Sequence, residues 1–142
     1  MTGKGMQIIV FELGNEKYGV DISQVKEIIR VSEITRIPNT PDFVEGVIDL
    51  RGQITTVINL RKKFGMEPKP MDANTRIIII EHNGSTIGMI VDTVSEVMHL
   101  LEEDIDKLPS VTTSNDASNI LKGIAKTSNG LIILVDLIKI LN

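Results

Sequence analysis

The sequence predicts a mainly β fold built from two small barrels in tandem, and three observations predict it. Its 142 residues carry 23 Ile, 12 Val and 11 Thr against 3 Ala, and β-branched side chains suit a pleated strand better than a helix, where χ1 is crowded. The apolar runs are short and parted by Gly, Asn and Pro turn signals. The two halves also echo each other at constant spacing. Gly46-Val47, Ile58-Asn59-Leu60, Lys62 and Phe64 match Gly123-Ile124, Val135-Asp136-Leu137, Lys139 and Leu141 at an offset of 77. Ile9, Phe11, Glu12, Gly19, Val25, Glu27 and Ile28 match Ile78, Ile80, Glu81, Gly88, Val94, Glu96 and Val97 at an offset of 69. Two offsets imply one difference in loop length. Short strands in two such units suit barrels, because closure removes exposed sheet edges.

Taken in order, residues 1–5 hold too little apolar surface to be tied down and are expected to fray. Residues 7–13 and 18–22 read as strands joined by a hairpin connection at 14–17. Residues 25–29 have apolar spacing that suits one helical turn as well as a strand, and periodicity does not choose between them. Pro38 and Pro41 punctuate the chain before two strands, 46–50 and 53–58, set around Arg51-Gly52. Residues 60–64 read as a short helical turn stopped by Gly65. The stretch 65–75, with two Pro and one Gly, reads as a linker that divides a domain at 6–142 into halves of roughly 6–65 and 75–142. Beyond it, 76–81 and 86–91 flank Asn83-Gly84, the strongest short hairpin signal in the chain. A strand at 94–100, an acidic helical turn within 102–106 and a polar loop at 110–119 follow. The chain closes with 121–125, Asn129-Gly130, 131–136 and a final turn at 137–141, repeating the earlier recipe.

Composition narrows the chemistry. The absence of Cys removes disulfides, thiol catalysis and thiolate metal sites. The longest purely apolar run is 131–135, far short of the roughly 20 residues of a membrane helix, and no apolar segment opens the chain, so a cytoplasmic location is expected. A net charge of −4 offers no attraction to phosphate backbones, and Phe11, Phe43, Phe64 and Tyr18 are too few to form a base-stacking platform. Nucleic acid is therefore not an expected partner. His82 and His99 have no second histidine at metal-ligand spacing, and no Gly-x-Ser-x-Gly elbow is present. Gly123-Ile-Ala-Lys126-Thr127 ends like a phosphate loop but has Ala125 where glycine must let the backbone close on phosphate. Asp92-Thr93 resembles an aspartic-protease turn, yet Val94 replaces the required Gly and the duplication sets Ser23 opposite Asp92. The enzymatic alternative is a small β-barrel hydrolase using Asp21, Asp92 or Asp136 as acid or base; each is better placed to satisfy a turn.

Arg51 differs in kind. Standing before Gly52 at an expected hairpin tip, its guanidinium projects from a rigid scaffold and can pair bidentately with a carboxylate. Around it, Val44-Glu45-Gly46-Val47-Ile48-Asp49-Leu50-Arg51-Gly52 is preceded by Ile37-Pro38-Asn39-Thr40-Pro41 and followed by Val57-Ile58-Asn59-Leu60. This string resembles the signature of CheW-type chemotaxis coupling proteins. The resemblance continues through Tyr18-Gly19-Val20, Val25-Lys26-Glu27-Ile28, Ile87-Gly88-Met89-Ile90-Val91-Asp92, the 94–97 stretch, Gly123 and Leu134-Val135-Asp136-Leu137, covering roughly residues 7–141.

The resemblance implies two SH3-like five-stranded β-barrels that exchange segments. It also implies an adaptor, without catalysis or cofactor, that joins the cytoplasmic tip of chemoreceptors to the regulatory domain of the histidine kinase CheA. By the same resemblance, Val25, Glu27, Gly46, Arg51 and Val97 match receptor-binding positions in a groove between the barrels. Ile34 matches a kinase contact, and the expected state is a monomer within larger arrays. The chain departs from the family pattern at Asp49, where Asn is common, at Thr56, where Pro is frequent, and at Asn59, where Asp is frequent. A carboxylate at Asp49, two residues from Arg51, bears on how free that guanidinium is.

Overall fold

The computed structural model describes residues 5–107 and 120–141. The polar loop expected at 110–119, and all but Gly5 of the expected frayed terminus, lie outside the described residues. The strands are β1 (Gly5–Leu13), β2 (Glu16–Asp21), β3 (Val25–Arg30), β4 (Val44–Leu50), β5 (Gln53–Asn59), β6 (Arg76–His82), β7 (Ser85–Val91), β8 (Thr93–Leu101), β9 (Ile105–Asp106), β10 (Leu121–Thr127) and β11 (Gly130–Val135). One helical turn, α1 (Leu60–Lys63), follows β5, and 3₁₀ turns occupy Ile22–Gln24, Glu102–Asp104 and Lys139–Leu141. The stretch that periodicity left open between strand and helix is β3. Its branched residues pair with the isoleucine run of β6, Ile28 opposite Ile78 and Ile29 opposite Ile77, and that ladder decides what local spacing could not.

Two compact units emerge. One combines the chain up to Gln24 with the chain from Ser95 onward, and the other is Val25–Val94. Their sheets run β8-β1-β2-β11-β10-β9 and β3-β6-β7-β5-β4. The duplication seen in the sequence is present bond by bond. Ile8 pairs with Asp21 and Ile9 with Val20, and 69 residues on, Ile77 pairs with Ile90 and Ile78 with Met89. The β4–β5 hairpin pairs Gly46 with Val57 and Leu50 with Gln53; 77 residues on, Gly123 pairs with Leu134 and Thr127 with Gly130, and both hairpins carry a register shift just before the glycine. Each unit also holds one parallel pair, Val57 beside Gly88 and Leu134 beside Gly19.

These pairings bring the exchange into view. The hairpin β1–β2 comes from the first repeat and joins β10–β11 of the second, while β4–β5 of the first joins β6–β7 of the second. Each unit thus draws strands from both sequence halves. Residues 65–75, read as a linker, run inside the second unit from α1 to β6, so the compact units are cut at other places than the sequence halves.

The sheets differ from closed five-stranded barrels. They hold six and five strands, and among the described residues no ladder joins β8 to β9 or β3 to β4. Chain continuation does the closing. From β8 the chain passes through a 3₁₀ turn into β9 on the opposite edge. After β3 it reaches β4 through a single bridge, in which Thr35 N donates to the Val47 carbonyl at 2.8 Å and Val47 N donates to the Thr35 carbonyl at 2.9 Å.

Each unit has its own aliphatic core. Ile8, Val10, Leu100, Ala125, Ile132 and Leu134 form the first. Ile48, Val57, Ile77, Ile79 and Ile90 form the second. The runs Ile8–Phe11 and Ile77–Ile80 are buried at every residue, so both faces of β1 and β6 are covered and the usual inside-outside alternation is lost.

Candidate functional site

The β4–β5 hairpin carries the site. Leu50 pairs with Gln53, leaving Arg51 and Gly52 as a two-residue turn, and both have positive φ, +51° and +87°. This is the mirror-image turn whose twist matches that of the flanking strands. The Asp49 Oδ1 accepts a hydrogen bond from Gly52 N at 2.7 Å and ties the tip to its own strand. At the other end of the hairpin, Gly46 has φ +145°, and a Cβ there would stand 2.1 Å from the Thr35 carbonyl oxygen and 3.0 Å from Ile34 Cγ2. Glycine at 46 is therefore what lets the Thr35 bridge close on β4.

The Arg51 guanidinium projects as expected, its side chain 67% exposed, but it is not free: Nη2 is bonded to the Glu27 carboxylate of β3. β3 and β4 are the two edges of the sheet, so this ion pair spans a gap that no backbone ladder fills. The bond from Arg51 is the main cause that holds the Glu27 carboxyl below its usual range, against partial desolvation, and the nearby charges of Arg51 and Lys26 add to it. Reciprocally, the bond to Glu27 and its charge raise Arg51 further. β3 carries a bulge between Val25 and Glu27, a device that re-aims side chains and recurs beside functional sites.

The remaining expected site residues fall as follows. Val25 is half-buried at the start of β3. Ile34 is half-buried and packs against the second core cluster. Val97, 55% exposed on β8, belongs to the first unit, whereas Val25, Glu27, Ile34, Gly46 and Arg51 all belong to the second. Sequence reading missed Ile54. It is 67% exposed, lies directly across the ladder from Asp49, and puts a large apolar side chain beside the charged tip. Its equivalent 77 residues on, Leu131, is likewise exposed, at 63%.

The carboxylates of the hydrolase alternative are all engaged in structure. Asp92 receives Arg61 Nε at 2.7 Å and Nη2 at 2.5 Å. Asp136 Oδ1 receives Lys139 N at 3.2 Å, Ile138 N at 3.0 Å and Gln24 Nε2 at 2.9 Å, capping the last turn as Asn59 Oδ1 caps α1 through Lys62 N. Asp21 Oδ1 receives Ser23 N at 2.9 Å. Among the described residues no cluster of three His, Cys, Asp or Glu is placed to hold a metal.

A family model for the CheW-like domain matches residues 7–142. The chain belongs to the CheW-like family. It is 40% identical over 138 residues to a chemotaxis protein CheW of Klebsiella aerogenes, covering 97% of this chain and 82% of that protein. It is 35% identical to that of Bacillus subtilis, covering 93% and 84%. Its fold is similar to the crystal structure of the scaffolding protein TtCheW from Thermoanaerobacter tengcongensis, with a TM-score of 0.84 at 43% identity and coverage of 94% and 90%. As a member of the CheW-like family it is a non-catalytic scaffold of chemotaxis signalling, and the hydrolase alternative has no support.

Proposed function

We propose that this CheW-family chain couples the cytoplasmic tip of chemoreceptors to the regulatory domain of the histidine kinase CheA, as a single copy acting in the cytoplasm. The observation that carries the reading is the Arg51 tip. It is a guanidinium held on a two-residue turn, gripped on one side by Glu27 and open to solvent elsewhere. A guanidinium has five N–H donors in a planar fork, so donors remain for an incoming carboxylate. Ile54 beside it offers apolar contact to a helical ridge. Apolar area gives binding and the charge sets register. Val25, Glu27 and Gly46 serve the receptor on the second unit, Gly46 by shaping the hairpin, and Val97 on the first unit serves as a further receptor contact. Ile34, on the segment that bridges to β4, serves the kinase. No helix among the described residues is long and apolar enough to cross a membrane, which suits a partner that meets its receptor through the cytoplasmic tip.

The experiment is a pair of NMR shift titrations, first with a receptor-tip fragment and then with the kinase regulatory domain, on wild type, Arg51→Glu and Ile34→Asp. Two separate footprints are expected, with Arg51→Glu weakening the receptor and Ile34→Asp weakening the kinase more. Because Ile34 packs against Ile48 and its neighbours, its variant is first checked for a native spectrum. A single shared footprint, or equal receptor affinity of Arg51→Glu and wild type, contradicts the adaptor reading.

A further inference from the structure

Arg51 sits where its residue type is disfavoured. Both central positions of a two-residue mirror-image turn need positive φ, which Gly, Asn and Asp adopt readily and a long side chain with a crowded Cβ does not. The second unit contains a direct comparison. The β6–β7 hairpin, closed by His82 opposite Ser85, uses Asn83 (φ +53°) and Gly84 (φ +79°). The β4–β5 hairpin has the same geometry, φ +51° then +87°, with arginine in the place of asparagine. A Cβ at Gly52 would meet nothing within 4 Å, so that glycine is needed for its backbone conformation and not for room. A residue held against its conformational preference persists where its surroundings over-determine it, and such places cluster at functional sites.

Two carboxylates supply that determination here. Glu27 grips the guanidinium from across the sheet gap, and Asp49 grips the backbone beyond it, its Oδ1 taking Gly52 N–H at 2.7 Å. In a turn of this type that N–H points away from the ladder. Without Asp49 the peptide joining Arg51 to Gly52 has only water to orient it. We infer that Asp49 is a positioning residue for Arg51: by holding the Gly52 amide it keeps Arg51 in the left-handed conformation that delivers the guanidinium to Glu27 and presents its remaining donors to a partner. The role needs an acceptor oxygen at this position and not a charge. The functional half of this inference rests on the receptor reading above; the positioning half does not.

The test compares Asp49→Ala, which deletes the acceptor, with Asp49→Asn, which keeps it. Without any partner, NMR is expected to show the Gly52 amide proton moving upfield in Asp49→Ala and the Arg51 Nε–H signal broadening or moving toward its free position, with both near wild type in Asp49→Asn. A receptor-tip fragment is expected to bind Asp49→Ala about tenfold more weakly and Asp49→Asn as wild type, in line with the loss of one hydrogen bond. Unchanged Arg51 signals in Asp49→Ala overturn the positioning role whatever the titrations give. Arg51→Glu separates the two halves. If it weakens binding and Asp49→Ala does not, Asp49 has no part in docking; if neither weakens binding, the receptor reading fails and the NMR comparison alone judges Asp49.

Discussion

The β4–β5 hairpin of the second unit and the β10–β11 hairpin of the first are copies of one device put to different use. They share a register at an offset of 77, a bulge before a glycine of positive φ, and a large exposed apolar residue near the tip, Ile54 in one and Leu131 in the other. The repeat also places equivalent acidic residues at an offset of 69, Glu27 on β3 and Glu96 on β8. Where the second unit has Arg51, however, the first has Ser128, and Glu96 makes no ion pair among the described residues. The duplication therefore supplies the scaffold twice and the charged latch once. What is common to the two copies is what the fold requires, and what differs is where recognition is to be sought.

The comparison breaks most sharply at the shared glycines. Gly46→Ala is expected to cost about 3 kcal/mol or more, since its Cβ would lie 2.1 Å from a backbone oxygen in a left-handed region. Gly123→Ala, at 2.8 Å from the Asp106 carbonyl, should cost clearly less. Urea unfolding of the two variants checks the order, and equal midpoints would show that the close approach at Thr35 is not what demands glycine. Next comes Arg61→Ala, which removes two hydrogen bonds from half-buried Asp92 and should cost about 2 kcal/mol in the same assay. Its positional counterpart in the first unit is Ile138, where replacement by Ala removes packing and no ion pair.

A smaller effect is expected for Arg51→Asn. Asparagine is at ease in the left-handed conformation already used by Asn83, so this variant should melt a few degrees higher even though it loses the Glu27 pair and weakens receptor binding. Stability and docking moving in opposite directions would mark the tip as retained for function; a lower melting point would mean that the ion pair outweighs the turn. The smallest effect is the pH dependence of the latch. Glu27 is held below the ordinary carboxylate range, so its contribution is present above the unfolded pKa and disappears as pH falls through the lowered folded value. The gap in melting temperature between wild type and Glu27→Gln should therefore close in acid, and Glu96→Gln, at the equivalent position without an ion pair, serves as control.

Much of this was legible in the sequence, for physical reasons that differ from element to element. Asn83-Gly84, and the short apolar stretches on either side of Arg51-Gly52, are local signals and placed their hairpins directly. The two offsets foretold registers that the ladders reproduce residue by residue, because a repeat conserves which side chains face inward. Long-range partners were harder. Val25 to Ile29 became a strand only because β6 was available to pair with it. The Arg51–Glu27 contact joins opposite sheet edges, and nothing within either segment announces the other. The reading of Arg51 as a projecting group whose freedom Asp49 limits was for that reason incomplete, because the guanidinium is held by Glu27. The exposure of Ile54 and Leu131 was hidden as well, since a large aliphatic residue within a strand is by default assigned to a core.

The interleaving of repeats has a bearing on biosynthesis. The second unit, Val25–Val94, is continuous and can close before β10 and β11 have left the ribosome. The β1–β2 hairpin emerges before the central unit yet must await β11, which is made after it, with the β2 edge lacking its native neighbour in the interval. An apolar ribbon stranded in that state is open to mispairing between nascent chains, so a stall in translation before residue 130 should yield aggregates seeded by the amino-terminal hairpin while the central unit is already folded.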